Sequence, residues 1–249
     1  MNYFKVSLIG TGGGYGESVV MQLGANNWMV IDSCLDPVTK ESLPLQYLKS
    51  QGVNVASDVK LIVCSHWHND HILGMDSLLD ECRSASFSLA ITSDKEKFLE
   101  FIGLDSRQDK LLAKTSSTDI MAKCLQIVSQ RKTSVKTIVQ DRLLFNLSQN
   151  NLDVKVFALS PSDAVISEFG TEVSELIKDY TPNSNRKITV RTPNEKCVVL
   201  QVSVNEHTVI LGGDLETSPD NKHGWLCILD NCNCVLNNKA SLFKIPHHG

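Results

Sequence analysis

The sequence predicts an α/β fold in which two β-sheets pack together under a covering of helices, an αββα sandwich. Three observations lead there. Strand-like segments dominate both ends of the chain, with helical patterns between and after them. An apolar run, "VKLIVC", feeds into the polar cluster "SHWHNDHILGM" at Ser65–Met75, which passes into a helical pattern. Near the C-terminus, two alternating segments flank "NEH" as a hairpin.

Taken in order, strands are expected at Tyr3–Ile9, Ser18–Leu23 and Trp28–Asp32, the first two joined by the glycine-rich "GTGGGYGES". A buried strand follows at Val59–Cys64, then a helix over Ile72–Cys82 and a strand over Ser86–Thr92. Residues 94–130 read as helix, broken near Gly103 and Thr115–Thr118. Strands resume at Val135–Val139, Arg142–Phe145 and Val154–Leu159. A helix over Ser162–Tyr180 begins after "SPSD", where a serine suits the cap position. The hairpin pairs Cys197–Val204 with Thr208–Leu211, and "SLFKIP" forms a last strand ending at His247-His248-Gly249. No repeat, low-complexity tract or linker divides the 249 residues, so 1–249 is read as one domain.

Composition narrows the function. A net charge of −4 gives no global attraction to nucleic acid or anionic membrane. No apolar run approaches the roughly 20 residues of a membrane span. The N-terminus "MNYFKVSLIG" has neither the length nor the cleavage site of a signal peptide, so a cytoplasmic location is expected. The eight cysteines are then reduced thiols. Only Cys227-x4-Cys232-x-Cys234 is tightly spaced, and with no second C-x-x-C it reads as thiols rather than a zinc knuckle.

The glycine-rich loop lacks the Gly-Lys-Ser/Thr of a P-loop, and Tyr15 stands where G-x-G-x-x-G needs its third glycine. It reads as a tight strand connection. The histidine cluster is more informative: three of the seven histidines fall within His66–His71, together with Asp70. His66 and His68, two apart at a strand end, share a face. Asn69 or Asp70 caps the helix that follows, with the Asp70 carboxylate near the strand edge. Imidazole and carboxylate are ligands for Zn²⁺, Mn²⁺ or Fe²⁺.

This H-x-H-x-D-H run after a strand resembles the signature of the metallo-β-lactamase fold superfamily. The resemblance extends over nearly the whole chain. "VIDSC" resembles the early strand that ends in an acidic residue behind the metal, here Asp32. "ILGGDLE" resembles the strand ending in a metal-bridging aspartate, here Asp214, and "FKIPHHG" the last metal-binding strand, with His247 or His248. "GESVVMQLG", "ALSPSD", "PNEKCVVLQV", "GGDLE" and "IPHHG" look most like the DNA-uptake competence (ComEC-type) branch and related phosphodiesterases. One departure stands out: no histidine lies between His71 and His207, and "LSPSD" offers only Ser160, Ser162 and Asp163 where many relatives place one. His207 and His223 are expected at the surface.

The resemblance implies a hydrolase with two divalent ions, Zn or Mn. His66, His68 and Asp214 would hold one; Asp70, His71, Asp214 and His247 the other. Asp70, Asp214 and His248 would stand at the reacting water. Asp32, Ser160 and Asn194 would orient ligands or line the substrate site. The expected substrate is a phosphodiester, as in a nuclease; alternatives are a carbonyl hydrolase for a thioester, lactone or β-lactam, and a binding domain without turnover. The basic stretch "NRKITVRTPNEK" carries Arg186, Lys187, Arg191 and Lys196, which would either grip phosphates or form a solvated strand face. The abrupt end after "IPHHG" suggests the first part of a longer chain, with further domains or partner proteins beyond Gly249.

Overall fold

A computed structural model of the chain describes residues 4–10, 12, 16–24, 26–111, 116–149, 151–180, 190, 193–234 and 239–246. Two sheets organise them. The first has six strands in sequence order: β1 (Phe4–Gly10), β2 (Glu17–Leu23), β3 (Trp28–Ile31), β4 (Val59–Cys64), β5 (Ser86–Leu89) and β6 (Lys136–Thr137). β1 to β3 form an antiparallel meander, and β3 to β6 run parallel. Parallel neighbours need crossovers. These are supplied by α1 (Leu43–Ser50) and α2 (Val55–Asp58), α3 (Asn69–Ile72) and α4 (Met75–Glu81), and α5 (Lys95–Leu111) and α6 (Ser117–Gln130). The second sheet has the order β11-β10-β9-β8-β7. Its strands are β7 (Leu143–Gln149), β8 (Leu152–Ala158), β9 (Leu200–Val204), β10 (His207–Leu211) and β11 (Leu242–Lys244), the last parallel to β10.

Strand periodicity makes the layers. β4 is buried on both faces: Leu61 and Val63 meet the second sheet, while Ile62 and Cys64 meet the helices. β8 alternates, with Val154, Val156 and Ala158 turned into the intersheet core. Phe98, Phe101, Phe169, Leu78 and Met121 build the core under the first sheet's helices, which include α7 (Asp163–Lys178). Burying side chains of this size stabilises by about 1.5–3 kcal/mol each. Among the described residues the outer side of the second sheet is covered by α8 (Gly224–Asn231), through Leu159, Val199, Leu215 and Ile228. No helix among them is long and apolar enough to cross a membrane.

Several expected elements change shape. The helix expected over 72–82 is two short ones, because Gly74 takes a left-handed φ of 81° between α3 and α4. α5 continues through Gly103, where a side chain would meet only open space. The break expected at Thr115 lies outside the described residues, and α6 then starts from Ser116, whose Oγ accepts from the Asp119 amide. Ser162 caps α7 in the same way through the Val165 amide. The strand expected over 135–139 shrinks to the two residues of β6, and β7 extends to Gln149. α1 and α8 were not foreseen: both are short and neither has a side-chain cap.

Candidate metal centre

The centre sits where β3, β4 and β10 end. Backbone bonds fix these ends: Asp32 N–H donates to Val63 O at 2.8 Å, and Val198 N–H donates to Ser65 O at 2.9 Å. Past Cys64 the chain bends at Ser65; His66 and His68 then face each other through their ring nitrogens, and Trp67 turns to the helix core. Trp67 packs against Phe98 and Phe169, with ring centroids 5.7 and 5.6 Å away. This anchor holds the histidine pair on the opposite side. His68 leads into α3, which carries Asp70 and the fully buried His71. Asp214 follows β10 in the "GGD" turn. Gly213 there has a φ of 53°, and a Cβ on it would lie 2.4 Å from Cys197 Sγ. A Cβ on Gly16, in the β1–β2 connection, would lie 2.6 Å from the Asp70 carbonyl oxygen. Both glycines let backbone press close around the site.

The ring nitrogens and carboxylates converge. His66 Nε2 lies 3.1 Å from His68 Nδ1 and 3.7 Å from Asp214 Oδ2. His71 Nε2 lies 3.1 Å from the same Asp214 oxygen and 3.8 Å from Asp70 Oδ2. Donor atoms of His66, His71 and Asp214 all fall within 4.8 Å of one another, and all three residues are buried.

Behind them Asp32 acts as a fixed acceptor. His71 Nδ1–H donates to its Oδ2 at 2.9 Å; the Ser65 amide and hydroxyl donate to Oδ1 and Oδ2, each at 2.6 Å. Having given its proton to Asp32, the Ser65 hydroxyl can only accept from His66 Nδ1, 3.1 Å away. That places the His66 proton on Nδ1 and turns the Nε2 lone pair toward Asp214. Burial alone would pull His71 down, but the Asp32 and Asp214 carboxylates on either side outweigh it and raise the imidazole to about 10. His71 thus lies between two carboxylates, Asp32 at Nδ1 and Asp214 at Nε2.

This donor set fits a divalent transition metal. Two ligands about 2.0–2.1 Å from a tetrahedral ion lie about 3.3 Å apart. The His66–His68, His66–Asp214 and His71–Asp214 pairs stand 3.1, 3.7 and 3.1 Å apart. A cation there would also place positive charge against the buried Asp214 carboxylate.

The structure therefore gathers His66, His71 and Asp214, with Asp32 directly behind; His68 meets His66, and Asp70 stands 3.8 Å from His71. His247 and His248 lie outside the described residues. The Ser160 hydroxyl is taken up by backbone: it donates to Cys197 O at 2.6 Å and accepts from Val199 N–H at 2.8 Å. Asn194 stands on a short 3₁₀ turn and donates from Nδ2 to Glu216 at 2.8 Å. His207 is exposed beside Glu206. His223 is not: its side chain is 13% exposed, 3.3 Å from Glu168 and 3.6 Å from Glu195. Lys196 is buried, 3.1 Å from Glu172 and over the Phe169 ring, so it does not reach out for phosphates. Arg186, Lys187 and Arg191 lie outside the described residues.

Two residues at the centre escaped the sequence reading. Ser65 joins Asp32 to His66. Cys197 places its Sγ 3.7 Å from His66 Nδ1 and accepts from the Asp214 amide at 3.1 Å. The segment "NEKC" had drawn attention to Asn194, yet its cysteine is the residue that touches the cluster.

A mixed α/β protein of two sheets, with histidines and carboxylates meeting at the strand ends, is the class that fold and site define. Residues 11–103 match the family model of the metallo-beta-lactamase superfamily, a segment holding Asp32 and the whole H-x-H-x-D-H run but less than half of the chain. The match supports that superfamily, whose members are generally hydrolases. Among solved structures, the chain resembles a motif mutant of a metallo-beta-lactamase from Cronobacter sakazakii at 17% identity and a TM-score of 0.44, covering 86% of this chain and 63% of that one. It resembles the hydrolase AbOPH of the beta lactamase superfamily at 15% identity and a TM-score of 0.43, covering 80% and 55%. The metallo-beta-lactamase fold protein YhfI from Bacillus subtilis follows at 15% and 0.42, covering 88% and 65%. The chain spans less than two thirds of the length of each. No curated protein matches it.

Proposed function

We propose that the chain is a metal-dependent hydrolase of phosphodiesters, with nucleic acid among its candidate substrates. The observation that carries the hydrolase reading is the convergence of His66, His71 and Asp214 in a buried pocket with Asp32 fixed behind His71. The phosphodiester reading rests on the late motifs "PNEKCVVLQV", "GGDLE" and "IPHHG".

His66, His68 and Asp214 would hold one divalent ion, Zn or Mn; Asp70, His71 and Asp214, with His247, would hold a second. Bound there, such ions supply positive charge against a developing oxyanion and a water acidified from 15.7 to about 7. The chain's own residues set the conditions. Asp32 keeps His71 Nδ1 protonated and aims Nε2 at the shared point. Ser65 performs the same service for His66. Asp214 is buried at 1% exposure and so keeps its carboxylate in a fixed direction. Asp70 is half-buried at the mouth, where it faces both His71 and an incoming substrate.

The test is hydrolysis after loading with Zn²⁺ or Mn²⁺. Turnover of bis-p-nitrophenyl phosphate without turnover of nitrocefin or thioesters is expected. One observation favours the second reading, a carbonyl hydrolase. The cleft that shares Lys196 with the histidine pocket is lined by Glu168, Glu172, Glu175 and Glu195, a poor surface for a polyanion. Turnover of nitrocefin or thioesters alone would establish that reading. Failure to retain any ion would leave a binding domain.

A further inference from the structure

We propose that Asp141, Cys232 and Cys234 form a second, separate metal site, for a thiophilic divalent ion such as Zn²⁺ or Cd²⁺. The cluster lies at the rim of the second sheet, where the loop after α8 meets the turn before β7. Donor atoms of the three residues fall within 4.8 Å of one another. Cys232 Sγ lies 3.4 Å from Cys234 Sγ and 3.1 Å from Asp141 Oδ1.

These separations are close to what one ion requires. Zinc bonds of about 2.3 Å to sulfur and about 2.0 Å to oxygen, set tetrahedrally, put two sulfurs about 3.8 Å apart and a sulfur and an oxygen about 3.5 Å apart. The cluster is a few tenths of an ångström tighter, and a small opening of the thiols admits the ion. Two thiolates and a carboxylate are a donor set for zinc-like ions and a poor one for magnesium or calcium. Binding balances as the ion entering, two thiol protons leaving to solvent, and the carboxylate joining unprotonated. Both cysteines are half-exposed, so water completes the fourth position.

The carboxylate is held in place before any ion arrives. Asp141 Oδ1 accepts from the amides of Asn233 at 2.8 Å and Cys234 at 2.9 Å; Oδ2 accepts from Asn233 Nδ2 at 2.8 Å. Asp141 itself takes a φ of 65°, and its amide donates to Ala158 O at 2.9 Å. Gln201 Nε2 donates to Cys234 O at 3.1 Å, fixing the second cysteine to β9. The spacing C-x-C alone suggested no site, because the third donor stands 91 residues away. Among the described residues no hydrogen bond or ion pair joins Asp141, Cys232 or Cys234 to His66, His71 or Asp214, so this site stands or falls independently of the hydrolase.

The test uses the full chain, reduced and stripped of metal, titrated anaerobically with Co²⁺. A near-ultraviolet thiolate-to-cobalt band is expected in the wild type, retained in His71→Ala and in Cys197→Ser, and lost in Cys232→Ser/Cys234→Ser. Asp141→Asn keeps an acceptor for the Asn233 and Cys234 amides but removes the anionic ligand. Its Co²⁺ dissociation constant should rise at least the about 10-fold typical of losing even an outer partner. No band in the reduced wild type, or a band that survives in the double serine variant, overturns the site. Unchanged affinity in Asp141→Asn overturns the role of the carboxylate. Should the double variant not fold, the wild type decides alone: Zn²⁺ must slow labelling of Cys232 and Cys234 by a thiol reagent, and equal labelling with and without Zn²⁺ overturns the proposal.

Discussion

The histidine centre and the Cys232–Cys234 rim bring three donors within the same 4.8 Å, by opposite means. At the centre, donors come from both sheets and are nearly inaccessible: His66 is 4% exposed, His71 0% and Asp214 1%. Each is aimed by a further side chain or backbone group. At the rim, two donors lie two residues apart on one loop and remain half-exposed. The contrast teaches what burial adds. Buried charges must be compensated, so the centre is committed to holding a cation, whether a proton on His71 or a metal. The rim cluster, open to solvent, carries no such commitment.

The largest effect should separate the two regions outright. Asp214→Ala is expected to cut metal-dependent hydrolysis by about 100-fold or more, while Cys234→Ser leaves it within about twofold. Steady-state rates on bis-p-nitrophenyl phosphate check this, with circular dichroism to confirm folding. Comparable losses in both variants would erase the distinction. Next, Asp32→Asn removes the carboxylate behind His71 without touching substrate. It should weaken metal affinity by about 10–100-fold, read by chelator competition; no change would mean His71 is aimed by packing alone.

A third experiment tests accessibility. Six cysteines, including Cys34, Cys64, Cys82 and Cys124, are buried, and Cys232 and Cys234 are half-exposed. An aromatic disulfide reagent should label those two in the native, metal-free chain and the others only after denaturant. Rapid native labelling of Cys82 or Cys124 would contradict the core. The smallest effect concerns alkaline pH. Burial pushes the Cys82 thiol up to about 12, with Glu81 adding to the rise. The unfolded thiol ionises near 8.5. Its contribution is therefore intact below about pH 8.5 and declines as pH rises toward 12, by at most about 1.4 kcal/mol per pH unit. Urea midpoints at pH 7 and pH 10 measure the fall, which Cys82→Ala should reduce and Cys234→Ser should not.

How far the sequence could be read depended on the range of the forces involved. β4 was legible because "VKLIVC" is an unbroken apolar run of strand length, as a strand buried on both faces must be. α7 was legible through its Ser162 cap and its apolar period. α8 was not, since "GWLCILDN" is short, uncapped and apolar on most sides, leaving no period to detect. The H-x-H-x-D-H residues and Asp32 stood out because their spacing is local or their motif distinctive. Cys197 and Asp141 did not, because they meet their partners 131 and 91 residues away. No spacing rule reaches that far; only the docking of the two sheets makes those neighbours.

That the histidines belong to the first sheet and Asp214 to the second has a consequence for how the molecule assembles. A growing chain carries the H-x-H-x-D-H run long before Asp214 is made. The first sheet and α1 to α6 precede the second sheet in the chain, and α7, which also packs under the first sheet, follows β8. The histidines meet Asp214 only after β9 and β10 have paired and the "GGD" turn has settled on Cys197. Contacts of such long sequence separation form late and slowly. An ion spanning both sheets favours only the state in which they are joined, so it would weld two otherwise separable halves into one cooperative unfolding unit.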